Sequence, residues 1–138
     1  MIATDCALQN YIFSTCQTDF LRQVINTLKQ YTFFPQNCIE FQGDINDCMY
    51  FIYSGEVEVL KDTEDYYKPT RVDILKEGDV FGMIQGLYPL RMHKYSYRAY
   101  TLAVVLILHR LDWQHLLDYF PNARHEIYER ATSLQFTI

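Results

Sequence analysis

The sequence predicts an α+β fold, in which a jelly-roll-like β-roll of about eight strands is preceded by helices and followed by two more. Short β-branched and aromatic runs separated by turn residues occupy residues 32–109, and apolar residues recur at helical spacing near both ends of the chain. The chain has 138 residues, which is enough to bury one core without a metal ion or a disulfide. We therefore expect a single domain.

The N-terminal part of the chain predicts two short helices. One apolar group at helical spacing begins at Leu8, and a second runs from Leu21 to Leu28. Hydroxyl and carboxylate side chains in residues 14–19 separate the two groups. Such side chains cap helices because they accept hydrogen bonds from the free backbone N–H groups of the first turn.

Seven runs with strand character follow, divided by turns that contain Pro, Gly, Asn and Asp. All five glycines are expected at such turns, because glycine adopts positive φ without a steric penalty. Residues 61–69 are interpreted as a polar hairpin loop, and the apolar run 103–108 predicts a strand that is covered on both faces. The predicted strands are Thr32–Phe34, Cys38–Phe41, Met49–Tyr53, Glu56–Leu60, Arg71–Leu75, Tyr95–Ala99 and Ala103–His109.

Helical spacing returns after the last predicted strand. An apolar stripe from Leu111 to Phe120 predicts one helix, and Pro121 interrupts the pattern. A second stripe runs from Ala123 to Leu134 at positions i, i+4, i+8 and i+11, which predicts the final helix.

Charge and hydropathy exclude several classes of partner. The net charge is −5 and no run of Lys or Arg occurs, so we expect no nucleic-acid partner. The longest apolar run, Leu102–Leu108, is far shorter than the roughly 20 residues that cross a bilayer. The N-terminus also lacks the pattern of a signal peptide. We expect a soluble domain in the cytoplasm.

The cysteines and histidines do not complete a metal-binding or catalytic pattern. No C-x-x-C pair occurs, and the four cysteines are expected to be reduced, with a structural disulfide as the alternative. The pairs Asp112 with His115 and His125 with Glu126 are close in sequence but fit a helix surface. The sequence therefore predicts no enzyme activity, no metal site and no resident cofactor.

Five motifs occur in order along the chain: Phe20–Arg22, Gly43–Asp44, Met49–Val59, Gly78–Gly82 and Leu116–Pro121. Together they make the chain resemble the cyclic-nucleotide-binding domain family over about residues 20–131. The likeness is greatest to the cytoplasmic domains of hyperpolarization-activated, cyclic-nucleotide-gated and ether-à-go-go cation channels, because residues 7–16 resemble the end of the linker that joins the pore to the binding domain. The resemblance implies a linker end at residues 1–17, the domain at 18–134 and a tail at 135–138. A non-channel protein with the same domain is the alternative.

The resemblance implies a ligand groove at a short helix after Phe81-Gly82. Met83 stands where binding relatives have a glutamate for the ribose hydroxyl, and His93 stands where they have a phosphate-binding arginine. Arg91 or Lys94 can supply that charge instead, although a solvated loop is the alternative interpretation of residues 91–94. Two lost charged contacts weaken cAMP or cGMP binding by roughly two to four decades. The implied groove residues are Phe81, Gly82, Met83, Ile84, Arg91, His93, Lys94, Tyr95, Ile127 and Ala131.

The resemblance also implies how such a domain acts. Groove occupancy is expected to regulate a cation channel through contacts with the transmembrane pore and with the other subunits of a tetramer, whereas the isolated domain is expected to be monomeric. A nucleotide-independent alternative follows from ether-à-go-go relatives, in which a segment after the last helix fills the groove. Here that segment is Phe136, Thr137 and Ile138.

Overall fold

The β-roll consists of eight strands in two antiparallel sheets of four. A computed structural model describes Cys16 and residues 18–63 and 68–134. All seven predicted strands are present, six with shifted ends and Ala103–His109 with the predicted ends, and the additional strand has two residues. The strands are β1 (Lys29–Phe33), β2 (Cys38–Glu40), β3 (Cys48–Ser54), β4 (Val57–Lys61), β5 (Thr70–Leu75), β6 (Val80–Phe81), β7 (Ser96–Ala99) and β8 (Ala103–His109).

The strand order fixes which parts of the chain become neighbours. The first sheet has the order β1-β8-β3-β6, and the second has the order β2-β7-β4-β5. Strands β3 and β8, which are far apart in the chain, pair along most of their length and form the centre of the first sheet. Strand β7 lies between β2 and β4, so the segment that precedes β7 comes close to the ends of both strands.

In the described residues, five helical segments accompany the sheets. The second of the two predicted N-terminal helices is present as α1, and the first lies outside the described residues. The first predicted C-terminal helix is a single α-turn followed by a 3₁₀ segment, and Pro121 starts the final helix rather than only ending the previous one. The segments are α1 (Thr18–Thr27), α2 (Met83–Leu87), α3 (Arg110–Trp113), the 3₁₀ segment (Gln114–Asp118) and α4 (Pro121–Leu134).

Two apolar clusters lie on opposite faces of the first sheet. Alternate residues of β3 point to opposite faces, so Met49 packs among the helices while Tyr50 packs between the two sheets. Strand β8 behaves in the same way: Leu106 is buried on the helical side and Val105 on the inter-sheet side. The prediction that the run 103–108 is covered on both faces is therefore confirmed.

One glycine departs from the predicted turn pattern. Gly86 lies inside α2 and not at a break between strands. A Cβ atom at this position would lie 2.8 to 3.0 Å from three side-chain atoms of Met49. The prediction for Gly86 is wrong because this glycine permits α2 to pack closely on β3, which is a requirement of packing and not of the backbone angle.

Candidate functional site

A groove of about 660 Å³ opens beside α2. Its walls come from α2, from the segment between α2 and β7, from the turn after β2, and from the end of β4. These pieces meet because β7 lies between β2 and β4 in the second sheet. The lining residues are Gln42, Gly43, Lys61, Asp62, Ile84, Gln85, Arg91, Met92, His93, Lys94 and Tyr95.

Gly82 sets the position at which α2 begins. Its φ of 72° and ψ of 24° lie in the left-handed region, which glycine adopts readily. A Cβ atom here would lie 2.8 Å from the backbone oxygen of Cys48 and 3.4 Å from Cε1 of His93. The chain therefore turns from β6 into α2 directly against β3 and against the floor of the groove.

A glutamine in α2 holds the segment between α2 and β7, which forms one wall of the groove. Gln85 is buried, and its Nε2 donates to the backbone oxygen of Met92 at 3.0 Å. The segment around Met92 is also tied to the turn after β2, since Ile45 and Met92 form an isolated β-bridge. Gln85 is not among the residues predicted from the sequence, because a single glutamine in a short helix carries no local signal of such a contact.

His93 is the most enclosed of the predicted site residues that line the groove. It is 2% exposed, its backbone N–H donates to Asp44 O at 2.9 Å, and its backbone oxygen accepts from Gly43 N at 2.8 Å. Its side-chain Nε2 lies 3.1 Å from Glu40 Oε2 and 3.2 Å from Asn46 Oδ1. Asn46 Oδ1 is an amide oxygen and only accepts, so Nε2 carries the proton in this contact and is already engaged inside the protein.

Tyr50 and Asn46 extend these contacts into a closed polar ring. The Tyr50 hydroxyl donates to Glu40 Oε1 at 2.9 Å and accepts from Asn46 Nδ2 at 3.3 Å. Burial, followed by the neighbouring Glu40 carboxylate, raises the pKa of the Tyr50 phenol, so the phenol remains a proton donor. The ring of Glu40, His93, Asn46 and Tyr50 thus joins four separate parts of the chain behind the groove.

Basic side chains outnumber acidic ones along the groove. Lys61, Arg91 and Lys94 line it, together with the carboxylate of Asp62, and all four residues are exposed. The Arg91 guanidinium carbon lies 5.4 Å from the centre of the Tyr88 ring, which is a cation–π geometry. The excess of positive charge favours an anionic ligand.

The groove is connected to the C-terminal helices through the end of α2. Two groups donate to the Leu87 backbone oxygen: Gln114 Nε2 at 3.2 Å and the Tyr128 hydroxyl at 3.3 Å. The Tyr88 and Tyr128 rings pack edge to face with their centres 5.7 Å apart. Arg91, Tyr88 and Tyr128 therefore form a continuous chain of contacts from the groove to α4.

The predicted site residues fall into three groups. The groove lining includes Ile84, Arg91, His93, Lys94 and Tyr95. A second group lies outside the lining. Phe81 is buried between the sheets, where it stacks against Tyr50 and Tyr97, and Gly82 starts α2. Met83 is half-buried against the helical cluster, in which Ile127 and Ala131 are buried. The tail residues Phe136, Thr137 and Ile138 lie outside the described residues. Whether these residues bind a ligand stays a prediction.

The described residues, 18–63 and 68–134 with Cys16, lack two other kinds of site. No group of three or more His, Cys, Asp and Glu side chains there lies close enough together to hold a metal ion. No helix in the same residues is long and apolar enough to cross a membrane.

Comparisons with known proteins agree on one fold. The sequence profile of the cyclic nucleotide-binding domain family matches residues 30–120. The potassium channel SKOR of Arabidopsis thaliana is 28% identical over 109 residues, which cover 79% of this chain and 13% of the channel. The N-terminal domain of a transcriptional regulator from Streptomyces coelicolor A3(2) matches with a TM-score of 0.83 at 16% identity, over 93% of this chain and 88% of that one. The C-linker/CNBHD of zELK channels, crystallized in the presence of cAMP, matches with a TM-score of 0.75 at 21% identity, over 96% and 68%.

These similarities carry different weights. The solved structures confirm the predicted fold class, the β-roll with its helices, and at this identity they support the fold alone. Both a channel domain and a domain of a transcriptional regulator have the fold, so the fold does not distinguish between the two kinds of parent. The chain corresponds to about an eighth of the length of SKOR.

Proposed function

This chain belongs to the cyclic nucleotide-binding domain family, and we propose that it is the ligand-sensing regulatory domain of a cation channel whose groove binds cAMP or cGMP weakly. Membership of the family agrees with the resemblance predicted from the motifs. The observation that carries the proposal is the groove beside α2, where Lys61, Arg91 and Lys94 surround a space of about 660 Å³. Three basic side chains against the carboxylate of Asp62 suit the single negative charge of a cyclic phosphate.

Weak binding follows from two of the predicted site residues, one outside the groove lining and one within it. Met83 is half-buried against the helical cluster, and a thioether does not accept a strong hydrogen bond from a ribose hydroxyl. His93 is engaged with Glu40 and Asn46, so its Nε2 does not face the groove as a free donor. Each missing charged hydrogen bond weakens binding by about 1.5–3 kcal/mol, so the two together reduce affinity by roughly two to four decades.

The contacts of Arg91 supply a route by which occupancy changes the C-terminal helix. Arg91 lies over Tyr88, and Tyr88 packs against Tyr128 of α4. A phosphate in the groove competes with the Tyr88 ring for the guanidinium and alters the packing of Tyr88 on α4. If the ligand binds the domain more tightly when α4 is in one arrangement than in another, it shifts the population toward that arrangement. The difference in binding free energy between the two arrangements then sets how strongly the ligand can influence the partners that α4 contacts.

The assignment to a channel rests on the sequence similarity to the potassium channel SKOR. SKOR is a potassium channel, and the alignment covers 79% of this chain but a small part of the channel. A regulatory segment of a larger membrane protein fits that coverage. On this proposal the domain lies on the cytoplasmic side of the membrane, and its partners are the pore and the equivalent domains of the other subunits.

Calorimetric titration with cAMP and cGMP, up to millimolar concentration, tests the function of the groove. We expect saturable heat with a dissociation constant in the high micromolar to millimolar range, and a loss of roughly tenfold or more in affinity when the three groove cations are neutralised. A matched control neutralises three exposed lysines that do not line the groove, so that the net charge changes equally. The groove variant is Lys61→Gln/Arg91→Gln/Lys94→Gln, and the control is Lys29→Gln/Lys68→Gln/Lys76→Gln.

Two results would contradict the proposal. Equal losses in the groove variant and in the control would mean that the ligand responds to net charge and not to this groove. An absence of heat in the unmodified protein would mean that the groove does not bind cyclic nucleotide. Binding that emerges only after residues 136–138 are deleted would favour the alternative in which the tail fills the groove.

A further inference from the structure

A buried carboxylate lies directly behind the imidazole that lines the groove. The Glu40 side chain is 12% exposed and the His93 side chain 1% exposed, and Glu40 Oε2 lies 3.1 Å from His93 Nε2. The distance suits an ion pair, but in the described part of the chain no donor is aligned well enough to form a hydrogen bond with this oxygen. A buried carboxylate with an unsatisfied oxygen attracts any cation that can approach it.

The carboxylate is held in place by its second oxygen. Glu40 Oε1 accepts from the Tyr50 hydroxyl at 2.9 Å, and that hydroxyl accepts from Asn46 Nδ2 at 3.3 Å. Asn46 is fixed in turn, because its Oδ1 accepts from the Cys48 backbone N–H at 3.2 Å. Glu40 therefore cannot turn toward solvent without breaking its hydrogen bond with Tyr50 and its contact with His93.

We propose that Glu40 is a specificity-determining residue of the groove: it pairs with the side chain at position 93 and prevents that side chain from contacting a bound phosphate. The proposal deepens the proposed function, on which it rests, by assigning part of the weak binding to Glu40 and not to the imidazole alone. It implies that replacing His93 with arginine does not create a phosphate contact, because the introduced guanidinium pairs with the Glu40 carboxylate. In the unmodified protein, Oε2 of that carboxylate already lies 3.1 Å from Nε2 of His93.

The test compares cAMP binding by calorimetry in the unmodified protein and three variants: His93→Arg, His93→Arg/Glu40→Gln and His93→Arg/Glu58→Gln. Glu58 is a matched control because it is also a buried carboxylate, 6% exposed, paired with Arg98 at 2.9 Å and absent from the groove lining. We expect His93→Arg to bind within about threefold of the unmodified protein. Adding Glu40→Gln is expected to tighten binding by roughly tenfold or more, and adding Glu58→Gln is expected to leave it unchanged.

The proposal is overturned if His93→Arg alone tightens binding tenfold, or if Glu40→Gln adds nothing beyond what Glu58→Gln adds. Thermal unfolding of each variant shows whether it is folded, and the same comparison with His93→Lys decides the question if the arginine variants do not fold. The proposed function fails in a different way, through the absence of saturable binding in the unmodified protein. The Glu40 proposal is instead decided by the ratio of affinities between the double and single variants.

Discussion

Substituting alanine for Gly82 tests whether the start of α2 is held by contact with β3 and the groove floor. Gly82 and Gly78 both have positive φ, 72° and 91°. An added Cβ at Gly82 would lie 2.8 Å from Cys48 O and 3.2 Å from Tyr50 Cδ2, whereas at Gly78 it would meet nothing within 4 Å. The pair therefore separates the backbone penalty, which both share, from the steric penalty, which belongs to Gly82 alone.

The magnitudes follow from these distances. A non-glycine residue at positive φ loses about 1–2 kcal/mol, and the reduced freedom of the unfolded chain returns about 0.4–1 kcal/mol, so Gly78→Ala is expected to destabilise the protein by about 1 kcal/mol. Overpacking against the backbone oxygen of Cys48 and the Tyr50 ring adds about 1–3 kcal/mol at Gly82. We expect Gly82→Ala to lower the free energy of unfolding by about 2–4 kcal/mol.

Urea denaturation followed by circular dichroism measures both variants against the unmodified protein. An unchanged dependence of the unfolding free energy on urea would show that the two variants can be compared directly. The reasoning is refuted if Gly82→Ala and Gly78→Ala are destabilised equally, within about 0.5 kcal/mol, because the contact with β3 would then contribute nothing.

Two further predictions concern the route to α4 and the buried thiol of β3. Tyr88→Leu removes the ring that contacts both Arg91 and Tyr128. We expect the affinity for cAMP to change less than about threefold, and we expect that cAMP no longer alters the hydrogen exchange of α4. An unaltered response of α4 to cAMP would exclude this route. Burial, followed by the Glu40 carboxylate, raises the pKa of Cys48 to about 11. Because the folded pKa lies above the unfolded value of about 8.5, the stability linked to this thiol is present below pH 8.5 and is lost as the pH rises toward 11. The unmodified protein should therefore lose more stability than Cys48→Ala over that range in urea titrations, and parallel pH profiles would contradict the assignment.

The strands and the helices near both ends could be predicted because their signals are local. The β-branched and aromatic runs of the strands and the spacing of apolar residues in α4 depend on neighbours a few positions away, so the sequence shows them directly. Strand β6 has two residues, Val80 and Phe81, which is too short for a period-2 pattern. It exists because these residues pair with Phe51 and Tyr50 of β3, which no local pattern reveals.

The groove could be predicted only in part, for the same physical reason. The segment around His93 was identified through its resemblance to binding relatives, but Gln42 and Lys61 enter the lining only through the pairing of β2 and β4 with β7. The orientation of His93 depends on Asn46, 47 residues earlier in the chain, and on Glu40. A single sequence does not show which distant polar groups share a buried space, so the polar ring required the structure.

The assembly of the groove from distant segments affects how its ligands can be detected. The ends of β2 and β4 and the segment before β7 meet only when the second sheet is complete, so the groove is expected to form only when the whole domain folds. A ligand that binds only the folded state adds RT ln(1 + [L]/Kd) to the free energy of unfolding, which is about 0.4 kcal/mol when its concentration equals Kd. For a domain of this size that amount raises the melting temperature by about 1–2 °C. Thermal-shift screens at ordinary ligand concentrations would therefore score a physiological ligand of this groove as inactive, and screens by direct binding suit this domain better.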